Sequence, residues 1–404
     1  MQKYIVQKYG GTSVGTPEKI KNVAGKIKSY TDRGIKVCVV VSAMGKTTDQ
    51  LIDLARQITD DASDREMDML LSTGEQVSIS LLAMALHAAG TSAVSFTGSQ
   101  AEVITNGMFS NAKIESINSE KLLKAFEKND VLIVAGFQGI DKDGNITTLG
   151  RGGSDTSAVA LAASLGIKDC EIYTDVDGVY TADPRVVSSP RKLSEISYDE
   201  MLELARLGAG VLHSRSVEFA KKYNINLIVR SSYNDVEGTT IKPKEDMMEK
   251  FIISGITSKN DEAKFTIRDI PDQPGIAQTL FSRLGEKNIY VDMIVQSTGK
   301  DNHATISFTV LKKDFKTVND ICESVKKELK ASEVTSSQEI ATVSAVGVGM
   351  LSTAGVAGRM FKVFSEHNIN IEMISTSEIG ISCVINEIYA ELAVKALHKE
   401  FLEK

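Results

Sequence analysis

The sequence has 404 residues, with 46 Lys and Arg against 53 Asp and Glu and hence a formal net charge of −7. Apolar residues make up 42% and charged residues 25%, which is typical of globular proteins and excludes general disorder. A chain of this length is expected to form about two to four domains. The slightly acidic balance, without a basic stripe, predicts that the protein does not bind nucleic acid.

The N-terminus, the apolar runs and the cysteines bear on where the protein resides. Residues 1–9 contain no apolar stretch as long as that of a signal peptide, and the apolar runs 37–41 and 131–137 are far too short to span a bilayer. The four cysteines are scattered in apolar surroundings, which favours buried free thiols over a disulfide framework or a zinc site. We therefore expect a cytoplasmic protein without a membrane span.

The first 240 residues alternate between short β-branched apolar runs and longer segments with helical periodicity. The runs predicted to be strands are Tyr4–Lys8, Lys36–Ser42, Ala93–Thr97, Val131–Gln138, Glu171–Thr174 and Asn226–Arg230. Met67–Ala89 and Asp155–Leu165 are predicted helices, and Asp141–Asn145 is a predicted hairpin turn. This alternation predicts an α/β domain with a mostly parallel sheet, whose ligands bind beyond the C-terminal ends of the strands.

Two consecutive glycines follow the first predicted strand, in the segment Lys8–Ser13. Their N–H groups can form an anion-binding nest, the next helix adds its positive N-terminal end, and Lys8 supplies a charge for a phosphoryl group. A tight turn with a surface lysine explains the same residues about equally well. The sequence contains no Walker A motif, because Val40 stands where that motif requires a glycine before Gly45.

A second glycine-rich segment, Gly150–Asp155, leads into a predicted helix that Ser154 or Asp155 can cap. Arg151 has glycine on both sides and is placed for bidentate binding of a carboxylate or a phosphate. A turn with a capping residue does not explain an arginine at this position, so a functional role is favoured.

The segment Tyr173–Arg185 follows another predicted strand, so that its polar groups lie where α/β proteins bind ligands. Its acids can orient a metal-bound or hydroxyl-bearing ligand, Tyr180 can contact a base, and Arg185 can meet phosphates. The Asp-Gly and Asp-Pro pairs are equally typical of an ordinary surface loop, and alone this segment is ambiguous.

Two more features have meaning only in combination with others. Ser42–Gly45 follows the second predicted strand, and Glu75 lies in a helical region, where a carboxylate usually serves the helix N-terminus. Together with Arg151, however, Glu75 could hold the ammonium and carboxylate of an amino acid. Among the histidines only His213, in a Gly-rich segment, is a candidate for a role at a site.

The region after residue 250 contains an internal repeat at a constant offset of 80 residues. Nine of the 23 positions from 275 to 297 are identical to their partners at that offset. Each repeat has a predicted strand (Ala263–Ile267; Ala341–Ala345), helix (Ile276–Lys287; Val356–His367) and second strand (Val291–Gln296; Ile371–Thr376). This order predicts two ferredoxin-like βαββαβ units, which serve either as dimerising appendages or as sensors of small molecules.

Taken together, the motifs resemble those of the aspartate kinases of the amino-acid kinase superfamily, in order and in spacing. The matching segments are Lys8–Ser13, Val40–Gly45, Leu71–Glu75, Ala135–Gly139, Thr148–Asp155 and Thr174–Arg185. The repeat resembles the tandem ACT domains that follow this kinase domain. The resemblance covers essentially the whole chain and implies a three-layer α/β fold with a mostly parallel sheet, followed by two α+β ACT domains. Its implied boundaries are 1–240 for the kinase domain, 241–262 for a linker, and 263–338 and 339–404 for the ACT domains.

The resemblance implies phosphorylation of the β-carboxylate of L-aspartate by ATP, with Lys8 neutralising the γ-phosphoryl group and Asp155 orienting it. Mg²⁺ would bridge ATP oxygens, and no metal is expected to be held by protein side chains alone. One departure concerns the nucleotide, since Gly210 stands where many relatives carry a lysine that contacts it. The implied ATP-binding residues are Lys8, Gly10, Gly11, Thr174, Asp175, Tyr180 and Arg185.

For aspartate, the resemblance implies that Arg151 binds the α-carboxylate and Glu75 the ammonium group. Ser42 and Thr48 would line the substrate and phosphate site. A carboxylate nucleophile is ionised at neutral pH, so the reaction needs no general base and no catalytic histidine.

The ACT resemblance implies feedback inhibition by lysine and/or threonine, and self-association into at least a homodimer. Ser352–Gly355 in the second repeat lacks the acidic residue of the first, so the two sites are not expected to be equivalent. The implied allosteric residues are Asp272, Gln273, Gly275, Ile276, Ala277 and Gln296.

Two other functions fit parts of the sequence. One is a sister kinase for glutamate, acetylglutamate or a nucleoside monophosphate, against which Glu75, Arg151 and the ACT repeat argue. The other is a catalytically silent amino-acid sensor, against which the complete set of Lys8, Arg151 and Asp155 argues.

Overall fold

The computed structural model describes residues 3–244, 252–299 and 302–403. The chain divides into two compact units, of which the first contains residues 3–179, 192–205 and 210–244. The second contains residues 180–191, 206–209, 252–299 and 302–403. Each unit is described by itself.

The first unit is built on a large, mostly parallel sheet and a smaller one. Its strands are β1 (Lys3–Tyr9), β2 (Ile35–Val41), β3 (Ala93–Phe96), β4 (Val103–Thr105), β5 (Ile114–Ile117), β6 (Val131–Ala135), β7 (Gln138–Ile140), β8 (Ile146–Thr148), β9 (Asp169–Thr174), β10 (Glu195–Ser197), β11 (Asn226–Ser231) and β12 (Thr239–Lys242). Its helices are α1 (Pro17–Thr31), α2 (Thr47–Ile58), α3 (Asp64–Leu71), α4 (Thr73–Ala88), α5 (Ser119–Lys128), α6 (Gly153–Ser164), α7 (Tyr198–Arg206) and α8 (Ser214–Tyr223).

The large sheet has the strand order β10-β12-β11-β9-β1-β2-β6-β3, and only the β11–β12 pair is antiparallel. All six strands predicted from the sequence lie in this sheet, so the α/β prediction is confirmed. The smaller sheet has the order β5-β4-β7-β8, and β7 and β8 form the predicted hairpin around Asp141–Asn145.

Helices cover both faces of the large sheet because its central strands are apolar on both sides. One face packs against α1 and α4, and this core contains Ile27 and Leu82 together with Tyr9 of β1. Because successive side chains of a strand point to opposite faces, Lys8 faces away from that core, toward α6. The alternation therefore places Lys8 and Tyr9 on opposite faces of the sheet.

The predicted helix Met67–Ala89 is interrupted, since α3 and α4 meet at Ser72. The carbonyl oxygen of Ser72 accepts a 2.8 Å hydrogen bond from the side chain of Gln138, which the sequence pattern did not indicate. By length and composition alone, Asp64–Ala88 could cross a membrane, although 44% of its most apolar window is buried. A core helix passes the same test, and the packing of α4 on α1 explains its apolar composition.

The second unit contains two four-stranded antiparallel sheets. Its strands are β13 (Gly255–Lys259), β14 (Glu262–Pro271), β15 (Val291–Thr298), β16 (His303–Leu311), β17 (Glu333–Ser337), β18 (Ile340–Val346), β19 (Met373–Thr376) and β20 (Gly380–Asn386). Its helices are α9 (Ile276–Glu286), α10 (Phe315–Leu329), α11 (Val356–Glu366) and α12 (Ala390–Leu402). The sheet orders are β15-β16-β14-β17 and β13-β18-β20-β19.

The first of these sheets follows the predicted βαββαβ order, but the second does not. Its fourth strand is β13, which precedes the whole first sheet and pairs with β18. The interval 241–262, expected to be a linker, thus contains a strand of the second sheet. The sequence repeat corresponds to a repeat in the structure. Gly275 and Gly355, 80 residues apart, each directly precede a helix and have φ values of +97° and +89°.

The four cysteines are buried and free, as the sequence predicted. Burial raises the pKa of Cys38 to about 12, so this thiol stays protonated at neutral pH.

The entry into β13 depends on a close approach at Gly347. A Cβ at Gly347 would lie 2.3 Å from the carbonyl oxygen of Ile252 and 2.6 Å from the Cα of Ile253. We expect Gly347→Ala to push this backbone away and to lower the free energy of unfolding by about 1–3 kcal/mol. Thermal unfolding measures the effect.

The matched control is Gly358→Ala, in α11 of the same sheet-and-helix unit, where a Cβ meets nothing within 4 Å. This variant is expected to be as stable as the wild type or more stable, because alanine favours a helix. Equal unfolding midpoints for the two variants would contradict the packing at Gly347.

Candidate functional site

The centre of the site is an ion pair between Lys8 at the end of β1 and Asp155 in the first turn of α6. Lys8 Nζ lies 2.7 Å from Asp155 Oδ1, and the two side chains are only 12% and 13% exposed. Partial burial strengthens such a pair, and the carboxylate fixes where the ammonium points. The sequence motifs placed these two residues in separate glycine-rich segments, and the fold brings them together.

The loop after β1 is pressed against the loop after β2. The N–H of Gly45 donates to the carbonyl oxygen of Gly11 at 3.0 Å, and a Cβ at Gly11 would lie 2.6 Å from the oxygen of Ala43. A Cβ at Gly10 would lie 3.6 Å from Lys8 Nζ, which is an ordinary contact. Gly11 thus serves close approach rather than an ordinary turn.

The sequence analysis predicted that the positive N-terminal end of the next helix lies at this loop, but the helix begins further along the chain. Residues Gly11–Ser13 form a short 3₁₀ turn, and α1 begins only at Pro17. The side chain of Thr16 already accepts a hydrogen bond from the N–H of Lys19, so the helix N-terminus is capped from within. Proline at the first helical position fixes this start.

Glu75 lies beside the same pair of loops. Its side chain is 3% exposed, and its Oε1 accepts a 3.1 Å hydrogen bond from the N–H of Ala43. Its Oε2 is buried and has no hydrogen-bond partner within the described part of the chain. Burial raises the pKa of the Glu75 carboxyl to about 8.

Two hydroxyl residues predicted for the substrate site lie nearby in the chain and are half-buried. Ser42 directly follows β2, and its N–H donates to the carbonyl oxygen of Tyr9 at 3.2 Å. Thr48 lies in the first turn of α2, after Thr47, whose hydroxyl donates to the oxygen of Met44. The fold therefore gathers Ser42, Thr48 and Glu75 around the loop after β2.

Arg151 is exposed and makes no hydrogen bond or ion pair with any other described residue. Its neighbours Gly150 and Gly152 have φ of +73° and +70°, a conformation that favours glycine. The helix begins at Gly153, so neither Ser154 nor Asp155 caps it, contrary to expectation. With Gly152 at the cap, Asp155 is free to pair with Lys8.

The sequence analysis missed Arg215, which holds the Arg151 loop. The guanidinium group of Arg215 donates to the oxygens of Leu149 at 2.5 Å and Ala112 at 2.6 Å. A Cβ at Gly152 would lie 2.4 Å from the ring of His213, so this histidine packs on the loop. The sequence analysis had singled out His213 by its Gly-rich surroundings, and the structure places it against the Arg151 loop.

A buried polar network lies on the other face of β1. The carboxylate of Glu171 accepts hydrogen bonds from Gln7 at 2.8 Å, Tyr173 at 3.1 Å and Tyr30 at 2.9 Å. Arg230 forms an ion pair with it at 2.9 Å. The main-chain carbonyl oxygen of Tyr173 accepts a 3.2 Å hydrogen bond from the N–H of Gly10. The network is therefore connected to the glycine loop through Tyr173.

The residues expected to bind the nucleotide fall into both units. Thr174 ends β9 in the first unit and Asp175 follows it, and the Thr174 hydroxyl donates to Asp175 Oδ1 at 3.0 Å. Tyr180 and Arg185 belong to the second unit. There Arg185 is held by Asp183, with Nη2 2.7 Å from Oδ2, and this guanidinium lowers the pKa of Asp183.

Five of the six residues expected to bind an amino-acid effector lie around the start of α9 in the second unit. Gly275 is the residue before this helix, and Ile276 and Ala277 pack partly against the core of the first small sheet. Asp272 and Gln273 precede it in the loop after β14. The last predicted residue, Gln296, is exposed on the edge strand β15.

Comparisons with known proteins agree with this architecture. The amino acid kinase family matches residues 3–231, and the ACT domain family matches residues 268–324 and 343–401. An aspartate kinase of Stutzerimonas stutzeri is 51% identical over 398 residues, which are 98% of this chain and 97% of that protein. Aspartokinase 2 of Bacillus subtilis is 50% identical, with 98% and 97% covered.

Two solved structures of one aspartokinase are also similar. That of E. coli aspartokinase III with aspartate and ADP has a TM-score of 0.80 at 25% identity, covering 98% of this chain and 99% of that one. The same enzyme with lysine and aspartate has a TM-score of 0.77 at 26% identity, with 99% of each chain covered.

The raised pKa of Glu75 predicts a pH dependence. At neutral pH the free carboxyl is protonated, whereas an amino-acid ammonium group would be held by its ionised form. Binding at Glu75 would therefore require loss of this proton. We expect KM for the amino-acid substrate to fall as the pH rises toward 8, by up to about tenfold per pH unit. Initial rates between pH 6 and 9 measure it.

The control is Glu75→Gln, which keeps the shape of the side chain but has no proton to lose. Its KM is expected to be higher and nearly independent of pH. A wild-type KM that stays constant between pH 6 and 8 would show that Glu75 does not meet an ammonium group.

Proposed function

Because the chain belongs to the amino acid kinase family and is an aspartate kinase, we propose that it transfers the γ-phosphoryl group of ATP to the β-carboxylate of L-aspartate. The product would be 4-phospho-L-aspartate. The observation that carries the proposal is the largely buried Lys8–Asp155 ion pair, 2.7 Å long, beside the glycine loop.

In this proposal the transfer is driven by position and charge. Lys8 neutralises the negative charge that builds up on the transferring phosphoryl group, and Asp155 keeps its ammonium in place. The β-carboxylate of aspartate is already ionised at neutral pH, so no group has to remove a proton.

Two groups that make few or no contacts with other side chains support an amino-acid substrate. Arg151 is exposed and free among the described residues, and it would bind the α-carboxylate as a bidentate partner. Glu75 has one unpartnered buried oxygen, which would accept the ammonium group. Ser42 and Thr48, half-buried at the same loop, would line the pocket.

For ATP, the ammonium of Lys8 and the backbone N–H groups at Gly10 and Gly11 would suit a phosphate chain. Thr174 and Asp175, with Tyr180 and Arg185, would hold the rest of the nucleotide. Bound Mg²⁺ would supply charge neutralisation on the phosphate oxygens and would be held mainly by the nucleotide itself.

Regulation is proposed to reside in the ACT domains. Lysine and/or threonine would act as feedback inhibitors of the first step of lysine, threonine and methionine biosynthesis in the cytoplasm. Crystals of E. coli aspartokinase III contain lysine, which supports this class of effector. An inhibitor must bind a less active state more tightly in order to shift the population.

We propose that the effector meets residues around the start of α9 and that ACT domains of two copies associate. The second repeat has no acidic residue at the matching position, so its site would differ. The proposed kinase domain spans residues 1–240 and the proposed ACT domains span 263–338 and 339–404. Strand β13 belongs with the second ACT domain, because it pairs with β18. The residues concerned are Asp272, Gln273, Gly275, Ile276, Ala277 and Gln296.

The decisive experiment measures ADP release from MgATP with and without L-aspartate, and then with lysine, threonine or both. The wild type is expected to turn over only with aspartate. Lys8→Ala should lower kcat by about 10²–10³-fold, because a charge that stabilises the transition state is removed. Circular dichroism checks that the variant is folded.

The matched control is Lys242→Ala, which removes another partly buried lysine, paired with Glu195 at 2.9 Å at the edge of the same sheet. It should keep the wild-type kcat. Normal turnover by Lys8→Ala would refute the assignment, and a wild type inactive with aspartate and other acceptors would favour an ACT-based sensor.

Arg151→Ala separates the two substrates. Loss of a bidentate contact to a carboxylate is expected to raise KM for aspartate by about 10- to 100-fold, with little change in KM for ATP. Arg56→Ala, at an exposed position, serves as control. An equal rise in both KM values would make Arg151 a phosphate ligand instead.

A further inference from the structure

The segment Tyr180–Arg191, here called the strap, belongs to the second unit although its flanking residues belong to the first. The chain leaves the first unit after Val179 and returns at Lys192. The N–H of Leu193 donates to the oxygen of Val179 at 2.9 Å, so the two ends of the strap are tied together. Tyr180 and Arg185, the strap residues proposed to hold the nucleotide, thus belong to the second unit, which also contains the proposed ACT domains.

Thr181 is the residue through which the strap is fixed. It is fully buried, and its Oγ1 lies 2.9 Å from Nε2 of His398 in α12, which is itself 2% exposed. The same hydroxyl accepts from the N–H of Arg191 at 2.9 Å. The oxygen of Thr181 accepts from the N–H of Ile256 in β13 at 2.8 Å.

Apolar contacts complete the attachment of the strap. Ala182 and Val187 are buried in the core of the second small sheet, in one cluster with Phe364 of α11 and Leu397 of α12. Between them, Asp183 engages the guanidinium of Arg185. The strap therefore combines a buried anchor with an exposed, oriented cation.

Main-chain hydrogen bonds of Thr181 with Arg191 and Ile256 fix the backbone next to Tyr180. The buried hydroxyl–imidazole pair also links this segment to α12, and a directional hydrogen bond limits the sliding that apolar packing tolerates. Ordering a loose segment on binding costs conformational entropy, so a strap fixed beforehand binds more tightly.

We propose that Thr181 and His398 are positioning residues for the nucleotide. Through their hydrogen bond, the packing of α12 in the second unit sets the affinity for ATP. The inference rests on the proposed function, because it takes Tyr180 and Arg185 as nucleotide ligands. It assigns a role to a hydrogen bond that touches no substrate.

The test is Thr181→Val, which keeps the shape of the side chain and removes the hydroxyl. We expect KM for ATP and Kd for MgADP, measured by calorimetry, to rise about threefold to tenfold. The values of kcat and of KM for aspartate should stay within about twofold of the wild type. Ser344→Ala is the control, since Ser344 forms a buried 2.7 Å hydroxyl pair with Ser382 within the second small sheet.

The histidine provides a second pair of variants should Thr181→Val fail to fold. His398→Gln keeps a hydrogen-bonding group near the hydroxyl and should retain the nucleotide affinity of the wild type. His398→Leu should lower this affinity as Thr181→Val does. A Kd for MgADP equal in all variants and the control would overturn the inference. A wild type that binds MgADP but shows no aspartate-dependent turnover would instead contradict the proposed function.

Discussion

The alternation of side chains along β1 is the constraint on which the site depends. Lys8 faces α6 and meets Asp155, while Gln7, one position away, faces the opposite side and donates to Glu171. A slip of one residue in the pairing of β1 with β9 would exchange these two faces. The register of a buried parallel sheet therefore holds the charge at the strand end in place more firmly than a surface loop could.

Two buried carboxylates illustrate how the surroundings separate support from chemistry. Glu171 is surrounded by donors, among them Tyr30, Tyr173 and the charged Arg230, so its position is determined from several sides. Glu75 is as deeply buried, yet one of its oxygens is unpartnered among the described residues. An unsatisfied buried oxygen lowers stability, and a bound cation would compensate for that loss.

Much of this fold was predictable because its strongest signals are local. Alternating apolar runs identified the strands of the large sheet, and the offset repeat identified two related small sheets. The pairing of Lys8 with Asp155 was accessible only through the resemblance, since no local pattern links them. The support from Arg215, the break at Ser72 and the pairing of β13 with β18 depend on contacts between distant parts of the chain, and single-sequence periodicity carries no information on these.

The origin of β13 also has a consequence for how the chain acquires its structure. The first small sheet is inserted between the two strands that form the edge pair of the second, β13 and β18. Closing such a long loop in an unfolded chain costs entropy, and prior folding of the inserted sheet brings the two strands near each other. The inserted sheet is therefore expected to form early, and the second sheet to close around it as a late step in folding.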